Sequence, residues 1–153
     1  MTPLPLATAN VWDANSQPII AGELRTLSPI FRIYGRRKIF AGPVAMVKLL
    51  QEKGHGRVLV IDGGGSLCCA LLGGNLAQLE KNNGWVGIVV NGCIRDVDEI
   101  NGCDVGVRAL NSHPMKPAKK GTGEKRVAVN IAGARICYGE WLYADADGIL
   151  FKD

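Results

Sequence analysis

The stretch "VLVIDGGGSLCCALLGGN", residues 58–75, decides how the chain is read. It begins with a continuous run of aliphatic, largely β-branched residues, the mark of a strand covered on both faces. Three glycines follow, and a second pair, Gly73 and Gly74, stands just before "NLAQLEKNNG". That segment places Leu76, Leu79 and the stem of Lys81 on a helix that Gly84 can close. "WVGIVVNG" repeats the buried-strand pattern, and "DVDEING" has the acidic first turn of a short helix. Strand, helix, strand and helix in succession predict an α/β fold with a partly parallel core.

Outward from this centre the pattern changes. Residues 8–22 carry Val11, Trp12, Ile19 and Ile20 among polar residues and predict a helix, weakened by Pro18. "IFRIYG", "KIFAG" and "VAMVKLL" read as short strands punctuated by Gly35, Gly42 and Pro43. "DVGVRAL", "RVAVNIAGARICYG" and "WLYADADGILF" read as late antiparallel strands with a turn at "AGA". With 153 residues, no internal repeat and no low-complexity linker, one domain over residues 1–153 is expected.

Composition narrows the function classes. Apolar residues make up 47% and charged residues 21%, and no apolar run approaches the ~20 residues of a membrane span, which argues against a membrane role. The first residues, "MTPLPLATANVWDANSQ", lack the basic and apolar regions of a signal peptide, so a cytoplasmic location is expected. The odd count of five cysteines, without a C-x-x-C pair and with only two histidines, points to free thiols rather than a Cys/His zinc site. The most basic segment, residues 113–126, has Pro and Gly but no aromatic residue for base stacking, so it reads as a solvated loop and not a nucleic-acid surface.

The triple glycine fails the nucleotide tests. No glycine is followed by Lys-Ser or Lys-Thr as a P-loop requires, and position 68, where the dinucleotide fingerprint needs its third glycine, is Cys. Gly63 to Gly65 therefore read as a tight turn. Gly73 and Gly74 precede a helix whose first N–H groups and dipole suit a carboxylate or phosphate, although a plain strand-to-helix turn explains the pair equally well. Arg95 and Asp96 fall at the carboxyl end of an apolar strand, where open α/β sheets build their sites. There one side chain can grip an anionic oxygen while the other, pointing elsewhere, holds a metal. Asp98 and Glu99 add hard oxygen donors that suit Mg²⁺ or Mn²⁺, and a charged helix start with a local ion pair is the competing reading.

From Gly74 through Arg95 and Asp96 to Glu99 the spacing is G-x20-R-D-x2-E. This resembles the motif of the class II 4-hydroxy-4-methyl-2-oxoglutarate aldolases, a family that also contains the regulator of ribonuclease activity A. The likeness extends through "GRRKIFAGPV", "GRVLVIDGGGS", "NNGWVGIVVNGCIRDVDEINGCDVGVRAL", "SHP" and "GEWLYADADGIL", nearly the whole chain, and is nearest to the plant branch. The resemblance implies a β/β/α swivelling-domain-like fold, a mixed sheet core with flanking helices, assembled as a homotrimer with sites at subunit interfaces. It implies that the backbone N–H groups of Gly73, Gly74, Asn75 and Leu76 bind a pyruvyl carboxylate, that Arg95 holds the C2 oxygen, and that Asp96 ligates Mg²⁺ or Mn²⁺.

The implied reaction is cleavage of a small 2-oxo acid, 4-hydroxy-4-methyl-2-oxoglutarate, to two pyruvates, with oxaloacetate decarboxylation as a side activity. Both leave pyruvate enolate, which a Lewis acid and an Arg at the developing oxyanion stabilise. The competing class is a non-catalytic trimer that inhibits a ribonuclease, and the Arg95-Asp96 pair favours the enzyme. A Schiff base on Lys48 and a methyltransferase built on "DGGGS" are the weaker alternatives. Glu140, Asp145 and Asp147 could reach across an interface, but a surface position is the simpler reading. Some members of the family carry Asp where this chain has Gly74, so Asp98 or Glu99 would supply that carboxylate. Between "AGPVAMVKLL" and "GRVLVID" the chain is about a dozen residues shorter than the resemblance implies, a gap of the kind that uncovers a core strand.

Overall fold

The computed structural model describes residues 7–14, 24–46, 52–116 and 128–152. Its centre is a set of neighbouring parallel strands: β3 (Phe40–Ala45), β4 (Val58–Asp62), β6 (Gly87–Ile94) and β7 (Gly106–Ser112). β4 and β6 alternate as a doubly covered strand should. Val58, Val60 and Val89 face one core while Leu59, Ile88, Val90 and Ile94 face the other. Truncating one of these, such as Ile88→Ala, costs about 2–5 kcal/mol.

One edge of the sheet is antiparallel. β1 (Leu24–Thr26), β11 (Gly148–Lys152) and β10 (Trp141–Asp145) lead to β3, and β2 (Arg32–Tyr34) closes the far side against β7. Helices α2 (Gly74–Asn82) and α3 (Val97–Gly102) cover one face, with Ala77 and Ile100 in its core. The hairpin of β8 (Ala128–Ile131) and β9 (Ala134–Cys137) contributes Val129, Ile131 and Ile136 to the other. Hairpin, sheet and helices give the β/β/α layering that was expected.

Several local expectations change. Of the first expected helix, α1 forms Thr8–Ala14; residues 15–23, Pro18 among them, lie outside the described residues. Gly42 and Pro43 do not divide two strands but lie inside β3, where Pro43 sits opposite Trp141 of β10. β7 is parallel to β6, because α3 carries the chain back across the sheet between them, and is antiparallel only to β2. The AGA turn forms as read, with Ala132 and Gly133 both at positive φ, the type I′ geometry of a two-residue hairpin. Phe40 lies against the paired glycines Gly87 and Gly106, where any Cβ would strike its ring.

The segment expected to be short joins two neighbouring strands. β3 and β4 are parallel neighbours, yet only residues 46–57 join them, near the minimum for a crossover. Lys48 and the rest of residues 47–51 lie outside the described residues.

Candidate active site

β6 ends at Ile94, and three segments meet there. β5 (Ala70–Leu72) takes over the edge of β6 that β4 leaves at Asp62, pairing with Cys93 and Ile94. The intervening residues 63–69 form an excursion from the sheet. Asp62 Oδ1 accepts the Gly64 N–H at 2.9 Å and the Asn91 amide at 2.9 Å, while the Asn91 carbonyl accepts the N–H groups of Gly63 and Gly65. With Gly64 and Gly65 at φ +67° and +76°, the triple glycine is a tight turn whose donors are spent internally.

The second glycine pair behaves differently. Gly73 is the N-cap of α2 in extended conformation and caps without a side-chain bond. The first helical bond runs from Ala77 N–H to Gly73 O, so the N–H groups of Gly74, Asn75 and Leu76 have no partner inside the helix. Gly74 N–H donates to Asp96 Oδ2 at 3.0 Å. The N–H groups of Asn75 and Leu76 have no acceptor among the described residues and lie at the positive end of the helix dipole, an arrangement that suits a carboxylate. The expected four-residue cradle is thus narrowed: Gly73 supplies the cap, Gly74 holds Asp96, and Asn75 and Leu76 carry the free donors.

Arg95 and Asp96 stand at the strand end as expected, but they do not point apart. Asp96 adopts the left-handed conformation (φ 57°, ψ 48°), which turns its carboxylate back toward α2 and brings Oδ2 within 3.8 Å of Arg95 Nε. Asp is among the few non-glycine residues that enter this region with any frequency. Its backbone carbonyl accepts the Ile100 N–H and starts α3, while the side chain caps nothing in α3. Arg95 is anchored by its N–H to Leu72 O at 2.9 Å and by Nη1 to Pro114 O at 3.4 Å. Both side chains remain about two-fifths exposed, 37% and 38%, so they can meet a ligand.

Of the two further acids, Glu99 belongs to this corner and Asp98 is exposed without a recorded contact to it. A Cβ on Gly74 would collide with the Glu99 carboxylate and approach its Cβ to 3.0 Å. The absent side chain at Gly74 is therefore replaced in space by Glu99, which sets its carboxylate beside the start of α2. Among the described residues no three His, Cys, Asp or Glu side chains converge as a ready metal cage. The donor set still fits a hard cation: Asp96 Oδ1 has no hydrogen bond among the described residues, Glu99 lies close by, and Mg²⁺ binds through one or two carboxylates while keeping several waters.

The other acids considered lie elsewhere. Glu140 is buried, ion-paired with Arg25, and accepts the Cys137 N–H, so it is not a surface group. Asp145 is also buried. Burial works to raise its pKa, but hydrogen bonds from Thr8, Asp147 and Gly148 outweigh it and hold the carboxyl below its ordinary value. Only Asp147 is exposed. What the sequence did not disclose is the segment around His113 and Pro114, which grips Arg95; its only signal was the "SHP" of the family resemblance.

The family model described as Aldolase/RraA matches residues 8–151. The chain belongs to that family. An Arabidopsis thaliana protein provisionally named 4-hydroxy-4-methyl-2-oxoglutarate aldolase 1 is 65% identical over 95% of this chain and 93% of its own length. Among solved structures, the RNA-processing inhibitor RraA from Thermus thermophilis superposes with TM-score 0.85 at 37% identity, covering 97% of this chain and 93% of that one. A Geobacillus kaustophilus structure described as an S-adenosylmethionine:2-dimethylmenaquinone methyltransferase gives TM-score 0.83 at 35% identity, covering 96% and 94%. In the present chain the glycine loop that a methyl-donor reading relies on has turned its N–H groups inward onto Asn91 and Asp62.

Proposed function

We propose that this member of the family is a class II, divalent-metal-dependent aldolase that cleaves 4-hydroxy-4-methyl-2-oxoglutarate to two pyruvates and decarboxylates oxaloacetate at the same site. The observation that carries the reading is the hydrogen bond from Gly74 N–H to Asp96 Oδ2, with Arg95 Nε beside it. It joins an anion-binding helix start, a guanidinium and a carboxylate with a free oxygen in one half-exposed corner. The names of the plant relatives support the same substrate.

In this reading Asn75 and Leu76 N–H groups bind the C1 carboxylate, and Arg95 lies at the C2 oxygen, where negative charge develops as the C3–C4 bond breaks. A fixed guanidinium there stabilises the enolate with little reorganisation. Asp96 and Glu99 hold the cation, which when bound supplies Lewis-acid polarisation of the 2-oxo group. Glu99, beside Gly74, is also the carboxylate available to orient water for protonating the enolate carbon. Assembly as a homotrimer is part of this reading, and light scattering would test it. The five free cysteines support a cytoplasmic location, and no described helix is long and apolar enough to cross a membrane.

Pyruvate release from both substrates with Mg²⁺ and with EDTA tests the proposal. Turnover that requires the cation is expected; equal rates with and without chelator would sink the metal-dependent mechanism. A second reading, ribonuclease binding without chemistry, is favoured by the likeness to the Thermus inhibitor. Ribonuclease inhibition by a protein with no lyase activity would establish it instead.

A further inference from the structure

The segment that follows β7 is tied down at three points beside Arg95. His113 N–H donates to Ile94 O at 2.8 Å, Pro114 O accepts Arg95 Nη1 at 3.4 Å, and Met115 O accepts the Ala70 N–H at 2.8 Å. Within it, Met115 N–H donates to His113 Nδ1 at 3.1 Å. A nitrogen that accepts a hydrogen bond carries no proton, so the hydrogen-bond network assigns the neutral ring its proton on Nε2. His113 is half-buried and held in place, with one N–H left to donate.

The guanidinium of Arg95 gives the corner a direction. Its Nε end faces α2, at 3.8 Å from Asp96 Oδ2 and 3.6 Å from where a Cβ on Gly73 would lie. Its Nη1 end faces Pro114, the neighbour of His113. With a C1 carboxylate at the start of α2 and a C2 oxygen on Arg95, the Nη1 end is the side of the guanidinium left for the far half of a 2-oxo acid. Both proposed substrates carry a second carboxylate on that half. We propose that His113 Nε2–H binds this distal carboxylate and makes the site select 2-oxo dicarboxylic acids over monocarboxylic ones. The inference rests on the lyase reading of the Arg95–Asp96 corner.

Two substitutions separate the free donor from the structural bond. In His113→Asn, the Asn side-chain oxygen can accept the Met115 N–H, as in an Asx turn, while the outer donor is lost. His113→Gln returns an N–H donor near the original Nε2 position. The readouts are KM for oxaloacetate and the inhibition constant of oxalate, which mimics the enolate end and has no distal half. His113→Asn is expected to raise KM about tenfold, the loss of one hydrogen bond to a charged group. Oxalate inhibition and melting temperature should stay at wild-type values, and His113→Gln should recover most of KM. An unchanged KM in His113→Asn, or parallel weakening of oxalate, would overturn the inference while leaving the lyase reading standing. Wild-type protein without turnover would remove both.

Discussion

Two glycine clusters ten residues apart meet the same strand and do opposite things. Gly63 to Gly65 fold their N–H groups inward onto Asn91 and Asp62, with Gly64 and Gly65 at positive φ, so these three donors are spent. Gly73 is extended (φ −116°) and Gly74 opens the helix, yet together they let α3 approach α2 so closely that Asp96 and Glu99 reach the helix start. Gly64 and Gly65 need glycine for their φ, whereas Gly63 and Gly74 need it for the missing Cβ. A run of glycines is therefore a weaker sign of a site than a pair placed where helix donors face outward.

The comparison can be broken at several points. Arg95→Ala removes the proposed oxyanion donor and should lower turnover roughly 100-fold or more. Thermal stability should change little, because the side chain is 37% exposed. Gly74→Ala places a methyl against the Glu99 side chain, whose Cβ has little room to move at 3.0 Å. We expect a stability loss of about 1–3 kcal/mol from overpacking, together with weakened oxalate binding by calorimetry.

A third test concerns the body of α2. Glu80 is fully buried with neither carboxylate oxygen hydrogen-bonded among the described residues, and burial pushes its pKa from 4.5 up to about 8. The folded state therefore keeps the proton over a pH range in which the unfolded chain has lost it. Its stabilising contribution is full below about pH 4.5 and falls away as pH rises toward about 8. Melting temperature should drop across that window, and Glu80→Gln should flatten the profile. A wild-type profile already flat between these values would mean that Glu80 finds a partner. The smallest effect is expected at Gly64→Ala: φ is +67° with no atom within 4 Å, so the cost is about 1 kcal/mol of backbone strain and activity is kept.

Much of this arrangement was legible in the sequence because it depends on local chemistry. β4 and β6 announced themselves by unbroken apolar runs, the AGA hairpin by its turn, and Arg95 and Asp96 by their place after a buried strand. What was not legible depends on contacts between elements. Pro43 looked like a boundary, yet β3 runs through it, and alternation in "DVGVRAL" could not reveal that β7 runs parallel to β6. The left-handed turn at Asp96 reversed the expectation that its side chain diverges from Arg95. Likewise the choice of Glu99 over Asp98, and the grip of Pro114 on Arg95, arise where α2, α3 and the end of β7 meet.

In the proposed function, the corner formed by the start of α2 with Arg95 and Asp96 performs the cleavage. Asp96→Asn tests it most directly, because Asn also tolerates the left-handed conformation and its side-chain oxygen can still accept the Gly74 N–H, while the negative charge is gone. Pyruvate release from 4-hydroxy-4-methyl-2-oxoglutarate in the presence of Mg²⁺, measured beside the melting temperature, should fall at least about 100-fold with the fold intact. Wild-type rates from a well-folded Asp96→Asn protein would mean that cleavage does not depend on the Asp96 carboxylate.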